Sequence, residues 1–330
     1  MLFAYGFAGK FSYISGFSST YETLTLPVYF YMTMFAVGLG LMLSYFGKGA
    51  ALGLGTAIFA IALNIQLSPL LQKFWFNVFV GHFDQTTPSG NTDISVSYQE
   101  LTGVYISVII ERSTIAMTIS YLISCLATIG RLDLWDTFVS LIIYNIMWPI
   151  PFYCNMRLYY NDLTAPQNAW DDFGLTYIYT FAGFFGLVYS IFLNRKYDET
   201  KINTAPSKVS SIFSIFGTTV VFCTLPATVL LQPVNTTTSS SRYNIGVLNV
   251  FFSEIAGIIS CLTFSLLFGK TKRINIASII ISVLCGPAIV AQWAALEPNI
   301  TACLTVGAFG GFVAALWTQV FHPRINRKKI

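Results

Sequence analysis

Glu111, Arg112 and Glu254 are the ionisable residues nearest to apolar surroundings, and a charged group within hydrocarbon points to transport unless it finds a partner. Glu111 and Arg112 stand at the entrance of an apolar stretch, where a charged pair reaches headgroups or water by extending its side chains. An interfacial or structural role is expected for both. Glu254 lies two to three turns inside the stretch 245–268, so a cation from Arg112 or from a neighbouring subunit is its expected partner. The only imidazoles, His82 and His322, lie in or beside loops. Six cysteines, Cys125, Cys154, Cys223, Cys261, Cys285 and Cys303, are scattered singly without a Cys-x-x-Cys pair or a histidine at ligand spacing. They read as buried free thiols, and neither a metal nor a cofactor is expected. No paired carboxylates and no nucleophile-base set occur at useful spacing, so an enzyme is not expected.

The elements that would position such groups are membrane helices. Apolar residues make up 55% of the chain and charged ones only 10%, against roughly 25% charged in soluble domains. Nine apolar segments stand out: 26–46, 50–71, 113–129, 134–153, 173–193, 209–231, 245–268, 276–294 and 300–321. Each approaches the ~20 residues a helix needs to cross hydrocarbon while satisfying its own backbone groups. The expected fold is therefore an all-α, polytopic bundle of about nine transmembrane helices. An N-terminal segment 1–25, the membrane domain 26–321 and a basic tail 322–330 make up the chain.

Numbering the spans in order puts 13 basic residues on one side, in loops around Lys48, Arg131, Lys201 and Lys270 and in the tail from Arg324 to Lys329. Lys10, Lys73, Arg157 and Arg242 fall on the other, an asymmetry that orients the bundle. The net charge of +4 is small, and no basic stretch interleaved with aromatics suggests nucleic acid. Gly38-Leu39-Gly40 and Gly53-Leu54-Gly55 lie in apolar helices without a preceding strand, so they read as helix-packing positions rather than phosphate loops. Asn235-Thr236-Thr237 and Asn299-Ile300-Thr301 fit the glycosylation pattern on the positive-poor side.

The run Tyr179–Leu187, YTFAGFFGL, resembles the pore helix HTFGAYFGL of the Rhesus-type branch of the ammonium transporter family. Three further stretches are similar to that family: Met32 to Gln66, Asn275 to Gly286, and the glycines Gly307, Gly310 and Gly311. The resemblance covers about residues 32–321 and implies a Rhesus-type order of helices. It also implies a set of losses. Tyr179 stands where the family has its first pore histidine, Ile115 where an acidic residue caps the recruitment site, and Thr228 where a gating phenylalanine follows a Trp-Pro. Ile276 replaces the asparagine of an Asn-Ala-Thr motif, and the helix bearing the second histidine would follow Phe321. A phenol with a reference pKa of ~10 donates one hydrogen bond but does not relay protons at neutral pH as an imidazole does.

The expected function is that of a degenerate pseudo-transporter, retained as a structural or accessory subunit of a larger membrane complex. The alternative is an active channel for ammonia, ammonium or another small neutral solute. Other membrane subunits and ordered phospholipid are the expected partners, with Gly307 and Gly311 as helix-packing positions on a face that a partner covers. The family's homotrimer is left open. The resemblance implies a plasma membrane, whereas a transport-inactive copy within a large assembly would suit the mitochondrial inner membrane, which is favoured.

Overall fold

The computed structural model describes residues 19–45, 50–79, 108–128, 134–151, 177–194, 208–231, 240–269, 276–291, 293–294 and 299–321. Among them the chain is all-helical, without a strand, and forms nine α-helices. These are α1 Ser19–Leu43, α2 Ala50–Phe79, α3 Val108–Cys125, α4 Leu134–Met147, α5 Ala182–Asn194, α6 Lys208–Thr224, α7 Ser240–Phe268, α8 Ile276–Val290 and α9 Ile300–Leu316. A π-helical turn, Tyr177–Phe181, leads into α5, a 3-10 segment, Leu225–Leu231, extends α6, and a second π turn, Trp317–Phe321, closes α9. Four spans are long and apolar enough to cross a membrane, 54–72, 208–228, 244–268 and 300–320, with shorter apolar helices over 30–43, 113–125, 178–193 and 276–290.

Helix ends depart from the expected spans for local reasons. The first helix starts at Ser19, inside the segment read as N-terminal to the membrane domain, and α2 runs to Phe79, so residues 72–79 lengthen the span. Pro226 lacks a backbone N–H and crowds the preceding turn, and the α-helix gives way there to tighter 3-10 turns. Asn299 is an extended residue whose side chain accepts from Thr301 N at 3.4 Å, which caps α9. The loops that carry Lys48, Arg131, Lys201 and Lys270, the tail from Arg324, His82, His322, Cys154 and Asn235 lie outside the described residues.

Between membrane helices, backbone proximity and interhelical hydrogen bonds do the work that water exclusion does in soluble cores. The α1–α6 seam closes on Gly217, where an added Cβ would lie 2.6 Å from Leu41 Cβ and 2.7 Å from Gly38 O. Ser210 and Ser214 donate across the same seam to the carbonyls of Ser44 and Met42. Gly55, read beforehand as a packing position, instead meets nothing within 4 Å. The three-helix wall α7–α8–α9 is tighter. A Cβ at Gly286 would lie 3.3 Å from Glu254 Cα, and one at Gly307 would lie 2.8 Å from Ser253 Cα. One at Gly311 would lie 2.8 Å from Cys261 N. Ser260 Oγ donates to Ala308 O at 2.6 Å across that wall.

A polar seam ties α2, α3 and α4. Asn64 Nδ2 donates to Thr118 Oγ1 at 3.1 Å, and Asn145 Nδ2 donates to Asn64 Oδ1 at 2.6 Å. Thr114 Oγ1 donates to Ser68 Oγ at 3.1 Å, and Ser113 donates to Gln72 one turn away. Asn64 thus serves both neighbours at once. Interhelical bonds in membranes contribute about 0.6 kcal/mol on average and up to ~1.7, so Asn64→Leu should cost about 1–3 kcal/mol for the pair. The check is the thermal midpoint of purified protein, which falls by several degrees in the leucine variant. An unchanged midpoint would show that the seam is not a stabilising contact.

Candidate functional site

The Tyr177–Phe181 turn is held against α3 by a hydroxyl and against α4 by a ring contact. Ser120 Oγ reaches Ile178 O at 2.7 Å and also meets the Tyr144 hydroxyl. Following Tyr179, Phe181 and Phe185 pack their ring edges against Tyr144 with centroids 5.2 and 4.8 Å away, and Tyr144 in turn meets Tyr121 at 5.3 Å. Tyr189, stacked 5.9 Å from Phe185, donates to Asp136 O at 3.2 Å. An aromatic column therefore lines the junction of α3, α4 and α5, and its three tyrosine hydroxyls end on hydroxyls or carbonyls of neighbouring helices.

Tyr179 is half-buried and packs against the hydrophobic core, as do Ile115 on α3 and Ala227 on the 3-10 segment. The π turn and the 3-10 segment both rest on α3. Thr228 is buried, and its hydroxyl donates to Leu225 O at 2.7 Å within its own turn. It offers its proton to its own backbone rather than across the bundle. Ile276, on the first turn of α8, also packs against the core.

Glu254, midway along α7, is completely buried, and neither carboxylate oxygen has a hydrogen-bond partner. The expected pairing with Arg112 is absent, and full coverage by this chain's own atoms leaves no route for a neighbouring subunit's cation. Glu111 and Arg112 lie in the first turns of α3, and their side chains are outside the described residues. Glu254 is instead within electrostatic range of the Tyr179 hydroxyl. Gly307 and Gly311 pack inward on Ser253 and Gly257 of α7, so the close approach they permit is taken up within the chain. The outer face of α9 shows Phe309, Val313 and Trp317.

Among the described residues no group of three or more His, Cys, Asp and Glu could hold a metal. Cys125, Cys261 and Cys303 are buried free thiols, Cys285 is partly buried, and Cys223 departs from the expected burial by being exposed. Sequence reasoning passed over Asn64, Asn145 and Ser120. Amides and hydroxyls in the middle of apolar spans are the signal that marks interhelical polar contacts.

With this geometry established, comparison with known proteins is informative at the level of fold. No family model and no curated protein matches the chain. The structure is similar to Rh50 of Nitrosomonas europaea, from the Rhesus protein family of channels, with a TM-score of 0.71. This is a Rhesus-like fold. The superposition covers 93% of this chain and 74% of Rh50 at 16% sequence identity, so the shared feature is the course of the helices. An integral membrane protein follows from that likeness together with the apolar helices.

Proposed function

We propose that the protein is a Rhesus-like pseudo-transporter that serves as a structural or accessory subunit of a larger membrane assembly. The observation that carries this reading is the chemistry at the position of the pore histidine. By the sequence resemblance Tyr179 takes that place, and it packs against the hydrophobic core, as do Ile115 and Ala227, while the Thr228 hydroxyl is committed to Leu225 O. A conducted ion or ammonia would lose hydration and meet mostly hydrocarbon in exchange, at a cost that polar pore groups normally offset. Partner subunits and phospholipid would cover apolar surface such as Phe309, Val313 and Trp317. The mitochondrial inner membrane is the favoured site on the argument that a transport-inactive copy persists within a large energy-converting assembly.

Liposome reconstitution tests the reading. Methylammonium uptake should stay at the level of protein-free vesicles, and Tyr179→His should leave it there, since one imidazole in a hydrophobic core supplies no continuous polar route. Saturable uptake that Tyr179→Phe abolishes would replace the pseudo-transporter with a channel. That second reading has one observation in its favour, the electrostatic proximity of Glu254 to Tyr179. Native mass spectrometry of the solubilised membrane tests the subunit role, with stoichiometric partner chains expected.

A further inference from the structure

Midway along α7 the chain holds a carboxyl group that neither solvent nor protein satisfies. Glu254 has no exposed surface and both oxygens lack a hydrogen bond, an arrangement rare for a titratable side chain. The described residues of the elements packed against it add no charge. The described residues of α8 contribute Cys285 as their only titratable group, those of α9 contribute Cys303, and the segments Leu225–Leu231 and Trp317–Phe321 contribute none. On α7 itself Cys261 lies two turns further, and Arg242 lies twelve residues back, about 18 Å along the axis. From the turn before α5, the Tyr179 hydroxyl interacts electrostatically with the Glu254 carboxyl.

We propose that Glu254 is a proton-binding site in the bundle core, its carboxyl carrying a proton at neutral pH and forming with the Tyr179 hydroxyl a neutral polar pair. An isolated carboxylate in low dielectric is costlier than almost any other buried group, and such groups neutralise rather than remain charged. Neutralisation needs a ligand. A sodium or ammonium ion would need several oxygen ligands, and no hydroxyl of the protein is hydrogen-bonded to this carboxylate to share such an ion. A proton needs only the carboxylate. The acid so formed carries one O–H donor, which the Tyr179 phenol oxygen would accept where the two side chains meet. This assignment rests on burial and the absence of partners, and it holds whether or not the protein conducts a solute.

Infrared difference spectroscopy of the full-length protein in lipid at neutral pH, wild type minus Glu254→Gln, decides the matter. Loss of a deuterium-sensitive protonated-acid carbonyl band is expected. Loss of the paired carboxylate bands instead would overturn the proposal, and removing the side chain must produce one or the other. Should the glutamine variant fail to fold, the wild type still answers through dicyclohexylcarbodiimide, followed by peptide mass spectrometry. The acid proton moves to a carbodiimide nitrogen, the carboxyl oxygen adds to the central carbon, and rearrangement leaves an N-acylurea that retains every atom of both reactants. Labelling at Glu254 should be constant through neutral pH. A decline of roughly tenfold per pH unit from acid pH upward, as for an ordinary carboxyl, or protection by sodium or ammonium, would refute it.

Discussion

Gly311→Leu should abolish the folded bundle, whereas Gly183→Leu, made on an exposed helix face, should leave it intact. A Cβ at Gly311 would lie 2.8 Å from Cys261 N and 2.9 Å from Ser260 Cβ, and nearer still to Gly257 O. Two of these three atoms belong to the backbone of α7, so no rotamer change relieves the clash. Overpacking costs about 1–3 kcal/mol where side chains yield and more where helices must separate. Here α9 would have to leave α7 and with it the bond from Ser260 to Ala308. Gly307→Leu, one turn away on the same seam, should behave alike, and the two losses should not add because either separates the helices. At Gly183 nothing lies within 4 Å, and leucine also has the better helix propensity. Size-exclusion profiles and thermal midpoints in detergent distinguish the variants. Equal midpoints for Gly311→Leu and wild type would mean that the α7–α9 contact is not formed as described.

That expectation differs from the one the glycines suggest when read in sequence alone. A small-residue spacing says that two helices approach closely, but it does not say whether the second helix belongs to the same chain. The spacing of Gly307 and Gly311 suggests an outer face, whereas the fold turns them toward Ser253 and Gly257. Other features were legible because a local rule controls them. The existence and order of the helices follow from the apolar runs, though not all of their ends do. The likeness of Tyr179–Leu187 to a pore helix agrees with a Rhesus-like course of the chain. Residues whose roles depend on three helices at once were not legible. Asn64 bonds to Thr118 and accepts from Asn145, 54 and 81 residues away, and although an amide within an apolar span signals an interhelical contact, nothing local names these partners. Glu254 illustrates the same limit from the other side, because a pairing with Arg112 is reasonable on charge and fails on placement.

Glu254→Arg should destabilise the bundle about as strongly as the glycine substitutions, and Glu254→Leu should not. A guanidinium stays charged under all conditions in which the protein folds, so it cannot escape desolvation by losing its proton. Among the described residues packed against α7 it would find no carboxylate, and a buried charge without a partner costs about 3–5 kcal/mol. Stabilities of about 5–15 kcal/mol leave little margin for such a loss. Leucine is close in size, introduces no polar atom and removes two oxygens that have no partner, so stability should be unchanged or raised by about 1–3 kcal/mol. Glutamine, shaped like the protonated acid, should stay near wild type. The order of thermal midpoints, leucine at or above wild type, glutamine near it and arginine far below, separates a neutral buried acid from an ionised one held by an unseen cation. In the ionised case leucine and glutamine would both lose the bound ion and its stabilisation, and both would melt below wild type. An arginine variant as stable as wild type would place the side chain in contact with water, contrary to its complete burial against the α7–α8–α9 wall.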